Sequence, residues 1–453
     1  MKFLQFLISL TIFLNVNILQ VQATETVSYK DYLQQVLDYY PSLKKEYANI
    51  EKAVSQKALA ASARVPQLWA SAKFEYGDDP VYVFGSLLRQ NKFSIDDFAL
   101  GRLNSPSPRS DNSGSIEGQW LLFDFFQTSS RIKSAGLFTE SAQYQAELTK
   151  MEAILAASEV YSRLALIQDF RKILDEAVGD GNKDVAAAES LNQKGLILGA
   201  DFYLARMTQS KLMQTRNEIL AQQAALSMAF NIIRGKDPTL PVEVSLDFRK
   251  PINLEGTAQQ WIVKAVDNRL DLKAMGKLLE AQGVEANREK KSFLPKVSAY
   301  GLADEHVHRI GSSGGANYVV GVKATMNIFD PGYGARVKLA KAEVSRLLNQ
   351  YQVSKDQAAK DTAETYYRLE AIKSNVLLAI KVRDDSKQAS GLMLPLYREG
   401  KRSIDQMISL RVALVESYEH WLRLENSLRQ CILSLKFYAG ELNQQQAEGI
   451  YGQ

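Results

Sequence analysis

Residues 131–135 read Arg-Ile-Lys-Ser-Ala, and residues 336–340 read Arg-Val-Lys-Leu-Ala, an offset of 205. Each phrase follows a Phe-Asp pair, Phe123-Asp124 and Phe329-Asp330. The same offset carries Glu159-Val160-Tyr161-Ser162-Arg163-Leu164 onto Glu364-Thr365-Tyr366-Tyr367-Arg368-Leu369, Gly195 onto Gly400, and Arg206 onto Arg411. Such agreement at one offset marks an internal duplication, so the chain must fold as two copies of one unit. Upstream, Leu43-Lys44 aligns with Leu272-Lys273 and Pro66 with Pro295, now at an offset of 229. Between those prolines and the repeated phrase the first copy therefore carries 229 minus 205, or 24, extra residues. An insertion tolerated there is expected in a loop at a tip.

The prolines say what each unit contains. None of the 11 lies between Pro108 and Pro238 or between Pro331 and Pro395. Both stretches are rich in Ala, Leu, Gln, Glu, Lys and Arg, which favour helix. Tyr144, Leu148, Met151 and Leu155 are spaced 4, 3 and 4, and Ala340, Val344, Leu347 and Tyr351 repeat that spacing. This is the seam of a coiled coil. A helix of about 60 residues reaches about 90 Å, although shorter helices broken near Gly179-Asp180-Gly181 also satisfy the pattern.

Elsewhere the period falls to two. Residues 318–329 set Val320, Val322, Ala324, Met326 and Ile328 on one face against Val319, Gly321, Lys323, Thr325 and Asn327 on the other. Residues 296–303 supply a hairpin partner across the Gly-rich 311–316. In the first copy, 67–76 and 115–123 pair the same way, joined by the extra residues and a polar stretch at 104–114 that reads as loop. Strands of this length match the roughly 9–11 residues that cross an outer membrane.

Export supports a membrane destination. Lys2 precedes an apolar run at 3–14, and Val21-Gln22-Ala23 offers a cleavage site, so residues 1–23 read as a signal peptide with the mature chain starting near Thr24. Beyond it no run is long and apolar enough for a membrane helix. Two hairpins give four strands, which cannot close a barrel, and an open edge in lipid is untenable. Transmembrane strands would have to be shared between subunits, two copies giving eight strands and three giving twelve.

Together these features resemble the TolC-like outer-membrane efflux proteins. The stretches 121–135 and 327–343 are similar to that family's strand-to-helix junction (Phe123, Asp124; Phe329, Asp330, Pro331), and 397–411 is similar to its helical-hairpin tip. The resemblance implies a mainly α fold with a β-barrel part: duplicated helix–β-hairpin–helix units in a homotrimer. Its twelve-stranded outer-membrane barrel would be continuous with a long α-helical coiled-coil periplasmic tunnel. The expected organisation is a first repeat at 24–234 (hairpin about 67–123, tip near 195–201) and a linker at 235–256. A second repeat follows at 257–440 (hairpin about 296–329, tip near 397–405), with a tail at 441–453. The implied role is the passive exit duct of a tripartite efflux pump or type I secretion system. Its partners would be outer-membrane lipid, a periplasmic adaptor and an inner-membrane pump of RND or ABC type. By the same resemblance Tyr397 and Arg402 match positions that latch the closed periplasmic entrance, with Asp201 as acidic partner. Family members with acidic rings carry Asp six and nine residues after the tip glycine. Counting from Gly400 gives Gln406 and Ser409 instead, with Asp405 one place early.

Other classes find less support. The net charge of +4 gives no reason to expect nucleic acid, and the single cysteine, Cys431, excludes an internal disulfide. No phosphate-cradling loop or zinc-hydrolase motif is present, so neither enzymatic activity nor a cofactor is expected. His306 and His308 form an H-x-H in a predicted extracellular loop. On a strand they would share a face and could hold a metal with another ligand. A periplasmic coiled-coil adaptor or rod, or an exported binding protein, remains the competing reading. The alternation at 318–329 argues against the rod.

Overall fold

The computed structural model describes residues 25–252, 254–398 and 401–451. The predicted signal peptide, Thr24 and the tip glycine Gly400 lie outside them. The elements in chain order begin with β1 (Glu25–Val27), α1 (Tyr29–Tyr39), α2 (Pro41–Ser62), β2 (Gln67–Gly77), α3 (Pro80–Arg89) and a 3-10 turn (Ile95–Phe98). Next come α4 (Leu100–Asn104), β3 (Arg109–Phe123), α5 (Gln127–Gln193), α6 (Gly199–Ile233), β4 (Val242–Val244), α7 (Ala258–Asn268) and α8 (Leu270–Lys290). The rest are β5 (Lys296–Val307), β6 (Gly315–Thr325), α9 (Tyr333–Arg398), α10 (Ile404–Tyr438) and α11 (Gln444–Tyr451). Helix α5 runs unbroken for 67 residues through Gly179 and Gly181, which removes the shorter-helix alternative.

The chain divides into two units. The helical unit comprises 25–44, 148–269 and 357–451. Its core is aromatic: Tyr32 stacks on Phe230 at 4.0 Å, and Tyr29 meets both Tyr161 and Tyr451 at 5.1 Å. Strand β1 pairs in parallel with β4, Glu25 opposite Val242. A second cluster surrounds Phe170, Leu174, Phe248 and Trp421. Arg429 is fully buried there, ion-paired with Glu425 at 2.7 Å and donating to the carbonyls of Asp247 and Lys250 at 3.1 Å each.

The sheet unit comprises 45–147 and 270–356. Its four strands run antiparallel in the order β2-β3-β5-β6, so the two hairpins join through β3 and β5. Around the sheet's root, Ser134 and Ser141 of α5 donate to carbonyls of α8, and Lys277 of α8 pairs with Glu140 at 2.9 Å.

Three expectations need correcting. Strand β6 spans Gly315–Thr325, so Met326, Ile328 and Phe329 lie beyond its end. The stretch 104–114 is not all loop, because β3 begins at Arg109. Its polar start has poor intrinsic strand preference, but it lies between two partners, and pairing overrides propensity. The extra residues are also not irregular. Asp79 accepts from the Tyr82 amide at 2.9 Å and Pro80 takes the first helical position, which together start α3.

Candidate functional site

The strand register fixes which side chains share a face, because directly paired residues lie on the same side of a sheet. Val320 pairs with Gly301, Gly301 with Gly118 and Gly118 with Leu68. Val322 pairs with Ala299 and Ala299 with Trp120; Tyr318 pairs with Ala303, then Ile116, then Ala70. This face is almost entirely apolar, and it is uncovered in the chain: Val320 is 76% exposed, Val322 67% and Leu68 74%. The opposite face carries Lys73, Glu75, Glu117, Gln119, Asp304 and Lys323, with Tyr300 beneath the Lys323 ammonium. Such a division suits lipid on one side and water on the other. Strands β2 and β6 each have one edge without a strand partner among the described residues.

The repeated Phe-Asp phrase lies where strand gives way to helix. Asp124 is buried, and its carboxylate accepts from both the Thr128 amide (2.7 Å) and hydroxyl (2.6 Å), satisfying donors at the start of α5. Phe125 and Phe126 turn the chain with positive φ, 54° and 66°. In the second copy Asp330 accepts from the Gly332 amide at 2.9 Å and pairs with Arg336. That guanidinium holds the Asp330 carboxyl below its ordinary pKa. Phe329 is exposed, and Pro331 follows Asp330 just ahead of α9.

His306 is not in a loop. It lies near the end of β5, buried, with Nδ1 2.7 Å from Asp111 Oδ2 on the polar face. His308 follows the strand, with Nδ1 3.2 Å from the Ser110 carbonyl. No group of three His, Cys, Asp or Glu side chains is arranged to hold a metal among the described residues.

In the helical unit the two hairpin tips meet. Ala188, Ala205, Tyr397, Ile404, Met407 and Ile408 form one apolar cluster. Tyr397 is buried within it, and its hydroxyl has no hydrogen-bond partner among the described residues. Burial raises its phenol pKa, and the charges of Asp184 and Asp201 raise it further. Asp201 sits in the first turn of α6 and Asp405 in that of α10, where carboxylates oppose the helix dipole. Arg402 and Asp405 are exposed, and Arg402 forms no ion pair among the described residues.

One residue missed in the sequence connects the hairpins within a copy. Arg411 of α10 places Nε 2.7 Å from Asp184 and Nη1 3.0 Å from Asp180, both on α5. Burial nevertheless keeps the Asp184 carboxyl above its ordinary pKa, outweighing the attraction of Arg411. Arg411 was already marked by its match to Arg206 at the repeat offset, but repetition alone does not name a partner.

Residues 261–441 match the family model described as outer membrane efflux protein. That match spans 181 of the chain's 453 residues, and over them the chain is similar to outer membrane efflux proteins. The proteins of that family are outer-membrane efflux channels rather than enzymes. No curated protein matches the sequence. Solved structures agree with the whole chain in fold. The Campylobacter jejuni CmeC outer membrane channel superposes with a TM-score of 0.76 at 15% identity, covering 92% of this chain and 88% of that one. The Vibrio cholerae outer membrane protein VceC gives 0.74 at 16% identity, covering 91% and 96%. The open state of the Neisseria gonorrhoeae MtrE outer membrane channel gives 0.69 at 15% identity, covering 92% and 90%.

Proposed function

We propose that this protein is an outer-membrane efflux channel and that three copies of it close one twelve-stranded barrel, β6 of each pairing with β2 of the next. The long helical hairpins would form a coiled-coil tunnel in the periplasm. The observation that carries the reading is the two-faced four-stranded sheet. Its apolar face suits lipid, and its two strand edges, open in a single chain, are untenable in a membrane without further copies. Two copies would give eight strands, whose interior side chains fill; twelve begin to leave a lumen. A periplasmic rod has no use for such an exposed apolar sheet face. The protein then serves as the passive exit duct of a tripartite machine, opened at its periplasmic tip by an adaptor and driven by an inner-membrane pump of RND or ABC type. Detergent-extracted protein from the outer membrane, crosslinked and weighed, should give three chains. A stable folded monomer from that membrane would overturn the shared barrel.

The same reading makes the tip a gate. In it Arg402, exposed beside the apolar cluster, would meet Asp201 of a neighbouring copy, and Tyr397 would bond the same carboxylate. Each exposed bond is worth about 1 kcal/mol. Threefold repetition brings the bias to about 3 kcal/mol, or roughly two decades in a two-state equilibrium. The variant Asp201→Ala/Tyr397→Phe/Arg402→Ser should therefore conduct markedly more in planar bilayers at unchanged oligomer stability. Unchanged conductance would leave these residues without a part in gating.

A further inference from the structure

The residues between β2 and β3 have no counterpart in the second copy, and the sheet unit gives them a definite position. All four helical connections leave the sheet at one end, near Gln67, Phe123, Lys296 and Thr325; the extra residues lie at the other. There α3 starts beside the end of β2 and finishes against the beginning of β6. Asn317 donates to the Arg89 carbonyl at 3.4 Å, and Lys92 reaches Ser313 at 3.2 Å. A methyl group on Gly315 would lie 2.1 Å from that same Arg89 oxygen, so the approach requires glycine. Since β2 and β6 are the two edges of the sheet, the segment crosses its whole width.

It crosses on the polar side. Asp111, His306 and Gly315 share the face that carries Lys323, and Gln90, just after α3, is anchored to it. Gln90 is fully buried and uses its whole amide: Nε2 donates to Asp111 Oδ1 (2.9 Å) and to the Ser110 carbonyl (3.0 Å), while Oε1 accepts twice from Arg109 (2.9 and 2.6 Å). Asp111 in turn holds His306. Buried polar networks of this kind are favourable only when complete, and they fix one arrangement. On the outer side of the segment Phe84, Phe93 and Phe98 pack edge to face at 5.0 Å, so it is a folded strap rather than a loose loop.

We propose that this strap is a lid across the exit end of the conduit, locked by Gln90, Asp111 and His306, and that it restricts what leaves each copy's share of the lumen. The inference rests on the assignment of the polar face to water. A membrane-impermeant maleimide tests both parts separately, using a Lys323→Cys variant in a Cys431→Ser background, on intact cells. A small reagent should label Lys323→Cys and leave a Val322→Cys control unlabelled. Equal labelling of the two would overturn the water-facing assignment and the lid with it. A bulky polyethylene-glycol maleimide should label Lys323→Cys slowly, and about tenfold faster once Gln90→Ala breaks the lock. An unchanged rate with the small reagent still selective would overturn the lid alone. Should Gln90→Ala fail to fold by itself, a Lys92→Cys/Ser313→Cys pair added to it can staple the strap to the sheet. Labelling read on the peptide holding residue 323 should then be slow when oxidised and recover on reduction. Equal rates in both states would overturn the proposal.

Discussion

Val322→Arg should abolish assembly in the outer membrane, while Lys323→Gln, one residue along the same strand, should leave it intact. Val322 belongs to the uncovered apolar face and Lys323 to the polar one. An arginine facing lipid near the midplane costs about 2–4 kcal/mol, and a shared barrel would incur that cost once per copy. Lys323 loses only a charge in water and a contact with the Tyr300 ring. The measurement is the heat-stable oligomer recovered from outer membranes of cells expressing each variant. Equal recovery would mean that the two faces of β6 are assigned wrongly.

A comparably large effect is expected far from any conduit surface. Arg429→Ala should destabilise the helical unit by about 3–5 kcal/mol, the cost of stranding a buried charge. Glu425 would lose its partner, and the carbonyls of Asp247 and Lys250 would lose their donors. The stem also covers Phe248, with the guanidinium 5.2 Å from the ring centroid. Replacing both charges, Glu425→Gln with Arg429→Met, should recover part of the loss, because no bare ion then remains. Thermal unfolding in detergent distinguishes the cases. If the double variant melts below Arg429→Ala, the pair is stabilising in its own right and the argument from desolvation fails.

What could be read from the sequence was whatever repeats or has a period. The duplication, the long helices and the alternation through Val320 and Val322 all come from local rules. They led to the two-faced sheet, whose two ends are distinguished by where the helices attach. Strand ends were harder. Residues 109–114 are Arg, Ser, Asp, Asn, Ser and Gly, and they become strand only because β2 pairs with all six and β5 with Asn112, Ser113 and Gly114. His306 was placed in a loop for a related reason: the acidic Asp304-Glu305 looked like the end of a strand, whereas β5 continues to Val307. The Asp111–His306 contact joins residues 195 positions apart, and the pairing of Arg411 with Asp180 spans 231. Neither distance has a local signal. Tyr397 was singled out at the tip by resemblance, yet its burial in an apolar cluster depends on α6 and α10 packing together, which no window of sequence contains.

The tyrosine cluster of the helical unit sets a condition on how the protein is made. Tyr29 touches Tyr161 and Tyr451, and Tyr451 shares a hydrogen bond with Gln430. One contact thus joins residues from near the beginning, the middle and the far end of the chain. A chain threaded outward from its beginning cannot complete this core until residues 444–451 have followed. Until then Tyr29 lacks its partner Tyr451 and the core stays open on that side, although Tyr32 can already stack on Phe230. The unit is therefore built to close late, which keeps the chain pliable while it is still being delivered and ties commitment to the arrival of its closing segment.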